Sequence, residues 1–192
     1  SASKRVTIRP LDVDDHVAID GLAAELAGRP IDILLNNAGR KGPEEQAFGA
    51  YDYEDWSRVL RTNLFGPMKM TEAFADHLAA SKRKLVVTFG SGTGSMAYNA
   101  TDAAGPKAGG LIYYRTSKAG VNMMTRNLAI ELRGRGIAVV SLAPGHVRTE
   151  MGGTWAPLSI EESVRGVRQV IDGLTIGDTG TFRLYDGSTY PW

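Results

Sequence analysis

Short apolar runs alternate along this chain with longer helical patterns, and that alternation leaves few folds open. Ile31-Asp32-Ile33-Leu34-Leu35 is a nearly continuous apolar strand, of the kind buried on both faces of a parallel sheet. Residues 85–90, 136–142 and 181–185 read as further strands, and residues 5–13 form another β-rich run. Asp14 or Asp15 is placed to cap a helix that carries Val17, Leu22, Ala23 and Leu26 and stops at Gly28-Arg29-Pro30. Long helices follow over about 52–82 and 112–134. A third starts at Ser159 and ends near Gly173, with Glu161 and Glu162 suited to its N-terminal dipole. The pattern predicts an α/β fold: a doubly wound, mostly parallel sheet with helices on both faces. All 192 residues read as one domain, long enough to bury a real core.

In such sheets ligands bind outside the carboxyl ends of the strands. The unusual polar clusters fall there: Asp12, residues 36–39, residues 90–92 and residues 144–149. The sharpest local signal is Tyr114-Arg115-Thr116-Ser117-Lys118, which puts Tyr114 and Lys118 one helical turn apart on one face. An ammonium beside a phenol favours the phenolate, which would bring a group with an ordinary pKa of ~10 closer to neutrality. Tyr114 is therefore a candidate general acid/base. Tyr113 has Ser117 rather than a lysine at the same offset and is set aside. Taken alone, this spacing is common, and its plain meaning is an amphipathic tyrosine with its tip in water.

Composition removes several classes. The net charge is +1 and the charges are interspersed, which excludes nucleic acid as a partner. With no cysteine there is no disulfide and no thiolate metal site. His16, His77 and His146 lack the spacing of a metal pair, and each reads as a surface or core histidine. No apolar run reaches membrane-spanning length and no apolar signal segment opens the chain, so the expectation is a cytoplasmic protein with no membrane partner.

Taken in order, the clusters resemble the short-chain dehydrogenase/reductase family from Asp12 to Trp192. Asn36-Asn37-Ala38-Gly39 is similar to the family's motif after its fourth strand. Phe89-Gly90-Ser91-Gly92 is similar to the end of the fifth. Tyr114 and Lys118 match the Tyr-x-x-x-Lys pair, Asn63 falls where the family has a catalytic Asn, and residues 144–149 resemble the motif after the sixth strand. The tail, residues 182–187 through Pro191-Trp192, is similar to the small carbonyl-reductase branch. The resemblance implies a Rossmann-like fold, NAD or NADP as cofactor, and a small-molecule carbonyl or secondary alcohol as substrate. By the same resemblance, Tyr114 is the proton donor and Lys118 keeps it acidic and holds ribose. Ser91 donates to the substrate oxygen, and Asn63 holds a water that relays protons to Lys118. Asp12, Val13, Asn37, Ala38, Gly39, Pro144, Gly145, Val147 and Thr149 then join Tyr114 and Lys118 in lining the cofactor, and no metal is involved. The two long helices, 52–82 and 112–134, resemble the family's dimer-building pair and imply a homodimer or homotetramer.

Each assignment has a plainer alternative. Asn63 could satisfy a helix distortion beside Gly66-Pro67, Asp12 could end its strand, Thr149 could be a cap, and Asn36 reads as a tie between strands. Met96 and Tyr98 are possible substrate contacts, and Gly152-Gly153 could hinge a small lid carrying Trp155, which could equally be core. The family pattern begins with a strand, a glycine-rich turn, a helix and a second strand, and this sequence starts at the pattern's third strand. Three explanations compete: a truncated chain, a direct pairing of the 5–13 and 31–35 runs, or a gap filled by another polypeptide. A catalytically silent, dimer-forming remnant is accordingly the alternative to an active oxidoreductase, and a cofactor-free lyase or dehalogenase is a third reading that Lys118 argues against.

Overall fold

The computed structural model describes residues 6–99 and 111–192. Strands β1 (Ile33–Asn36), β2 (Leu85–Phe89), β3 (Ala138–Ala143) and β4 (Phe182–Leu184) form a four-stranded sheet in the order β1-β2-β3-β4, every pair parallel. The helices are α1 (His16–Glu25), α2 (Tyr53–Leu60), α3 (Gly66–Ala79), α4 (Met96–Asn99), α5 (Ile112–Glu131) and α6 (Ile160–Gly173).

Side chains alternate faces along a strand, and two apolar cores follow from that period. Leu34, Val86 and Val139 point to one face, where they pack with Ala23 of α1, Phe74 and Leu78 of α3, and Val121 and Leu128 of α5. Leu85, Val87, Val140 and Leu142 point to the other, against Val167 and Ile171 of α6. The helices thus cover both faces, as the near-continuous apolar strands require.

The helix ends follow local chemistry. Asp15, not Asp14, caps α1, its carboxylate accepting from the Ala18 N–H at 3.0 Å. Ser159 and Glu162 form a reciprocal capping box at the start of α6, with Ser159 Oγ accepting from the Glu162 N–H and Glu162 Oε2 from the Ser159 N–H. We expect Ser159→Ala to cost about 1 kcal/mol, measured by urea unfolding. The helix expected over 52–82 is α2 and α3 joined by a π turn, Arg61–Phe65, and it ends at Ala79. Pro67 has no N–H to offer the carbonyl four residues back, and the wider turn absorbs that break. The other long helix ends at Glu131 and tightens into a 3₁₀ turn over Arg133–Arg135.

One expected strand does not form. Residues 6–13 enter no ladder, and Val6 and Ile8 are 82% and 83% exposed. β-propensity is realised only against a neighbouring strand, and β1 pairs with β2 alone. The direct pairing of these residues with β1 is therefore not adopted. The segment is held instead by Arg9 on Glu25 at 2.7 Å and by the Asp12 carboxylate, which accepts from the Asp14 N–H at 2.9 Å. Leu35, on the α6 face of β1, is left 43% exposed.

Candidate active site

The carboxyl end of β2 delivers two groups to the first turns of α5. The Phe89 carbonyl accepts a 2.7 Å hydrogen bond from Lys118 Nζ. Two residues later, Ser91 caps the short turn Gly92–Gly94, with its Oγ 2.9 Å from Thr93 Oγ1 and close enough to the Tyr114 phenol to act on its ionisation. Tyr114 and Lys118 share one face of α5, and Nζ lies 5.5 Å from the centre of the Tyr114 ring. Tyr114 and Lys118 thus share a face, as their spacing implied, and the end of β2 brings Ser91, named by the resemblance alone, to the same place.

The electrostatics differ from the expectation. Burial pushes the Tyr114 phenol above its ordinary value of 10.0, and Ser91 works against that rise. The lysine is itself 5% exposed, and desolvation lowers its pKa from 10.5 to about 8. Its ammonium is turned toward the Phe89 carbonyl. The phenol therefore keeps its proton at neutral pH, the state in which it can donate.

Asn63 lies in the π turn and is 1% exposed. Its Oδ1 accepts from the Arg40 N–H at 2.8 Å, and its Nδ2 donates to the Arg40 carbonyl and to Ser117 Oγ, both at 2.8 Å. Its amide thus pins the loop after β1 to α5, next to the helix distortion at Gly66-Pro67. A methyl group on Gly39 would lie 3.5 Å from Asn63 Oδ1 and 3.9 Å from Lys118 Nζ, so this loop borders the lysine. Ser117, Phe89 and Thr93 were not singled out from sequence. Only the backbone path brings them to the site, and no side-chain pattern announces it.

The remaining expected residues divide. Val13, Asn37 and Ala38 line a groove of about 200 Å³ with Leu35, Asn36, Pro67 and Met70. Asn36 donates to Thr88 Oγ1 at 3.1 Å and is the tie between β1 and β2. Asp12, next to Val13, is exposed, and its carboxylate accepts from the Asp14 N–H. Beyond β3, Ser163 Oγ donates to the Pro144 carbonyl at 2.7 Å, and Val147 bridges to Leu158. Gly145 has φ +82°, and a methyl group there would fall 2.4 Å from Leu158 Cδ1. Thr149 Oγ1 accepts from the Gly152 N–H at 3.1 Å, so Thr149 caps a turn. Trp155 is 78% exposed, not core, and its ring meets the His146 edge at 4.4 Å. Met96 and Tyr98 are exposed, and residues 100–110 of the same loop lie outside the described residues. Tyr113 is 1% exposed and accepts from the Asp52 N–H at 2.6 Å, which leaves it no part in the chemistry. His77 is a core histidine, whereas His16 and His146 are exposed. Among the described residues there is no cluster able to hold a metal ion and no helix long and apolar enough to cross a membrane.

Whether these residues suit a nicotinamide nucleotide turns on Lys118. Of the three N–H donors of an ammonium, the Phe89 carbonyl engages one. The others are available at a point bordered by the Tyr114 ring and the Gly39 backbone. A buried donor beside an exposed backbone loop suits a sugar hydroxyl, so the ribose–nicotinamide end fits. The glycine-rich stretch at 90–94 does not cradle a pyrophosphate. A methyl group on Gly92 would lie 2.5 Å from the Tyr190 hydroxyl, and one on Gly94 would lie 2.5 Å from the Lys118 backbone, so the turn's backbone is covered by protein.

A parallel sheet wound on both faces, with a Ser, a Tyr and a Lys converging at a strand end, defines a nucleotide-dependent oxidoreductase of the Rossmann-like class. The short chain dehydrogenase family model matches residues 1–157, and the chain belongs to the short-chain dehydrogenase/reductase family. It is 40% identical to the C-signal of Myxococcus xanthus, over 88% of this chain and 98% of that protein. It is 30% identical to the 1-hydroxy-2-glutathionyl-2-methyl-3-butene dehydrogenase of Rhodococcus sp. (strain AD45), over 100% of this chain and 83% of that enzyme. Among solved structures, the NADPH-bound carbonyl reductase from chicken fatty liver superposes with a TM-score of 0.86 at 31% identity, covering 97% of this chain and 77% of that one. The carbonyl reductase Sniffer of D. melanogaster gives 0.86 at 30%, covering 96% and 77%.

Proposed function

We propose that this chain interconverts a carbonyl and a secondary alcohol, with Tyr114 as the general acid/base. The observation that carries the reading is the buried Lys118 ammonium, bonded to the Phe89 carbonyl at the end of β2 and 5.5 Å from the centre of the Tyr114 ring. NAD or NADP, when bound, supplies or accepts the hydride. The Tyr114 phenol, protonated at neutral pH, gives its proton to the carbonyl oxygen. Ser91 Oγ, beside the phenol, is placed to donate to that same oxygen and to stabilise developing negative charge. Lys118 offers its free N–H groups to ribose. Asn63 contributes by fixing the Gly39–Arg40 loop against α5 rather than by touching substrate. Asn37, Ala38 and Gly39 border the cofactor through backbone, with Val13 across the groove. Asp12 is available to the adenine end if its bond to Asp14 is exchanged. Pro144, Gly145, Val147 and Thr149 form the wall beyond β3. The carbonyl-reductase neighbours support this substrate class.

The first test is titration of the purified chain with NADPH and then NADH, followed by tryptophan fluorescence, and then a panel of aldehydes and ketones. Micromolar binding with cofactor-dependent turnover is the expected result. No binding at millimolar cofactor would sink the reading.

A second reading is a fold that acts by association rather than catalysis. Two observations favour it: the outer edge of β1, unpaired among the described residues, and the match to 98% of a protein named for signalling. Exposed Tyr53, Phe65, Met123 and Ile130 lie on the long helices expected to build a homodimer or homotetramer. Sedimentation of the same preparation reports it: self-association without nicotinamide binding would favour this reading over the first.

A further inference from the structure

The turn that carries Ser91 is wedged between two walls. On one side is α5, whose backbone at Lys118–Ala119 leaves no room for a side chain at Gly94. On the other is the segment after β4. This segment folds back antiparallel to β4, with Arg183 bridging Thr189 and the Tyr190 N–H donating to the Phe182 carbonyl at 2.8 Å. The Tyr190 hydroxyl then occupies the space a Gly92 side chain would fill. Its ring is held by Phe182 at 5.1 Å and Tyr98 at 5.9 Å. Trp192 closes the strap: its carbonyl accepts from the Ala97 N–H at 2.9 Å, its ring meets Phe182 at 5.5 Å, and the Arg126 guanidinium of α5 lies 5.7 Å from the ring centre.

Accordingly, we infer that Tyr190 and Trp192 are positioning residues that press the Ser91 turn onto α5 and so set where Ser91 stands against Tyr114. The inference rests on the proposed roles of Ser91 and Tyr114. The anchor points make it specific. Phe182 is fully buried in the sheet, and Arg126 belongs to the same helix as Tyr114, so the strap is tied to the frame that carries the phenol. Asn122 of α5 donates to the Gly94 carbonyl at 3.1 Å and ties the far end of the turn to the helix, while the strap bears on its Gly92 end, next to Ser91. A shift of about 1 Å in a catalytic group costs on the order of 100-fold in rate.

The test is a double-mutant cycle on carbonyl reduction with Tyr190→Ala, Ser91→Ala and the pair, and a parallel cycle with Trp192→Leu. Tyr190→Ala is expected to lower kcat by about 10- to 100-fold with cofactor affinity unchanged. Added to Ser91→Ala, it is expected to lower kcat no further, because it acts through that serine. Equal losses in both backgrounds would overturn the proposal. An activity-independent readout is the ¹³Cζ resonance of Tyr114 in protein labelled at tyrosine, assigned with Tyr114→Phe. Lys118 is the charged group facing this phenol, and all the variants retain it. Tyr190→Ala and Trp192→Leu should move that resonance and its titration midpoint upward in pH, toward Ser91→Ala. A Ser91→Ala shift that neither strap variant reproduces overturns the strap. If Ser91→Ala itself leaves Tyr114 unmoved, the Ser91–Tyr114 pairing fails first. Should one strap variant fail to fold by circular dichroism, the other carries the test.

Discussion

Tyr114→Phe is expected to lower kcat for carbonyl reduction by about 10²- to 10⁴-fold, the usual worth of a positioned general acid, while cofactor affinity stays within about twofold. The substitution deletes one oxygen. The ring remains on α5, and the Lys118 bond to the Phe89 carbonyl is untouched. Only proton delivery and the influence of Ser91 on the phenol are lost. The pH profile gives a second prediction from the same group. Burial holds the phenol above its ordinary value, so the protonated form that reduction needs persists through neutrality. Reduction by the wild type should be flat from pH 6 to 8 as far as Tyr114 is concerned, whereas alcohol oxidation, which needs the phenolate, should still be rising at pH 9. Steady-state kinetics in both directions check this. A Tyr114→Phe variant that keeps wild-type kcat would remove the tyrosine from the chemistry.

What the sequence disclosed, and what it withheld, divides along the line between local and non-local physics. The four-residue offset of Tyr114 and Lys118 is a property of one helix, and the structure places them on one face of α5. The capping box at Ser159 is equally local. The alternation of Val86 and Val87 between two cores follows from strand period alone. Residues 6–13 mislead for the opposite reason: their β-branched side chains suit a strand, but a ladder needs a neighbour, and the segment runs outside the sheet without pairing to the open edge of β1. Asn63 was visible as a residue but not as a device, because its partners are the backbone of Arg40, 23 positions away, and Ser117, 54 positions away. The direction of the Tyr114 shift was misread because spacing cannot say where an ammonium points. Here the Phe89 carbonyl claims it, and burial decides the phenol. Trp155 shows the same limit, since neither its loop nor its exposure is fixed by local pattern.

Lys118→Met is expected to abolish ribose recognition and turnover, yet to stabilise the folded protein at pH 7. Burial has pushed the lysine from 10.5 to about 8. Below pH 8 the folded and unfolded chains both carry the proton, and the fold bears the whole cost of holding that charge away from water, on the order of 3 kcal/mol. Between pH 8 and 10.5 the unfolded chain binds more protons than the folded one, so the lysine's penalty shrinks and wild-type stability rises with pH. Above that window both forms are neutral and the penalty is gone. Methionine has a similar length and no charge. It gives up the bond to the Phe89 carbonyl, worth about 1 kcal/mol, leaving a net gain of about 2 kcal/mol at pH 7. That gain should dwindle through the same window and end slightly in favour of the wild type. Urea unfolding of both proteins at pH 7 and pH 10.5 measures it. A destabilised variant with a pH-independent difference would mean that the ammonium is fully compensated in the free protein. Under the proposed function the cost has a use: the donors that Phe89 does not engage are left for the ribose, and a site that fills them only on binding is less stable without it.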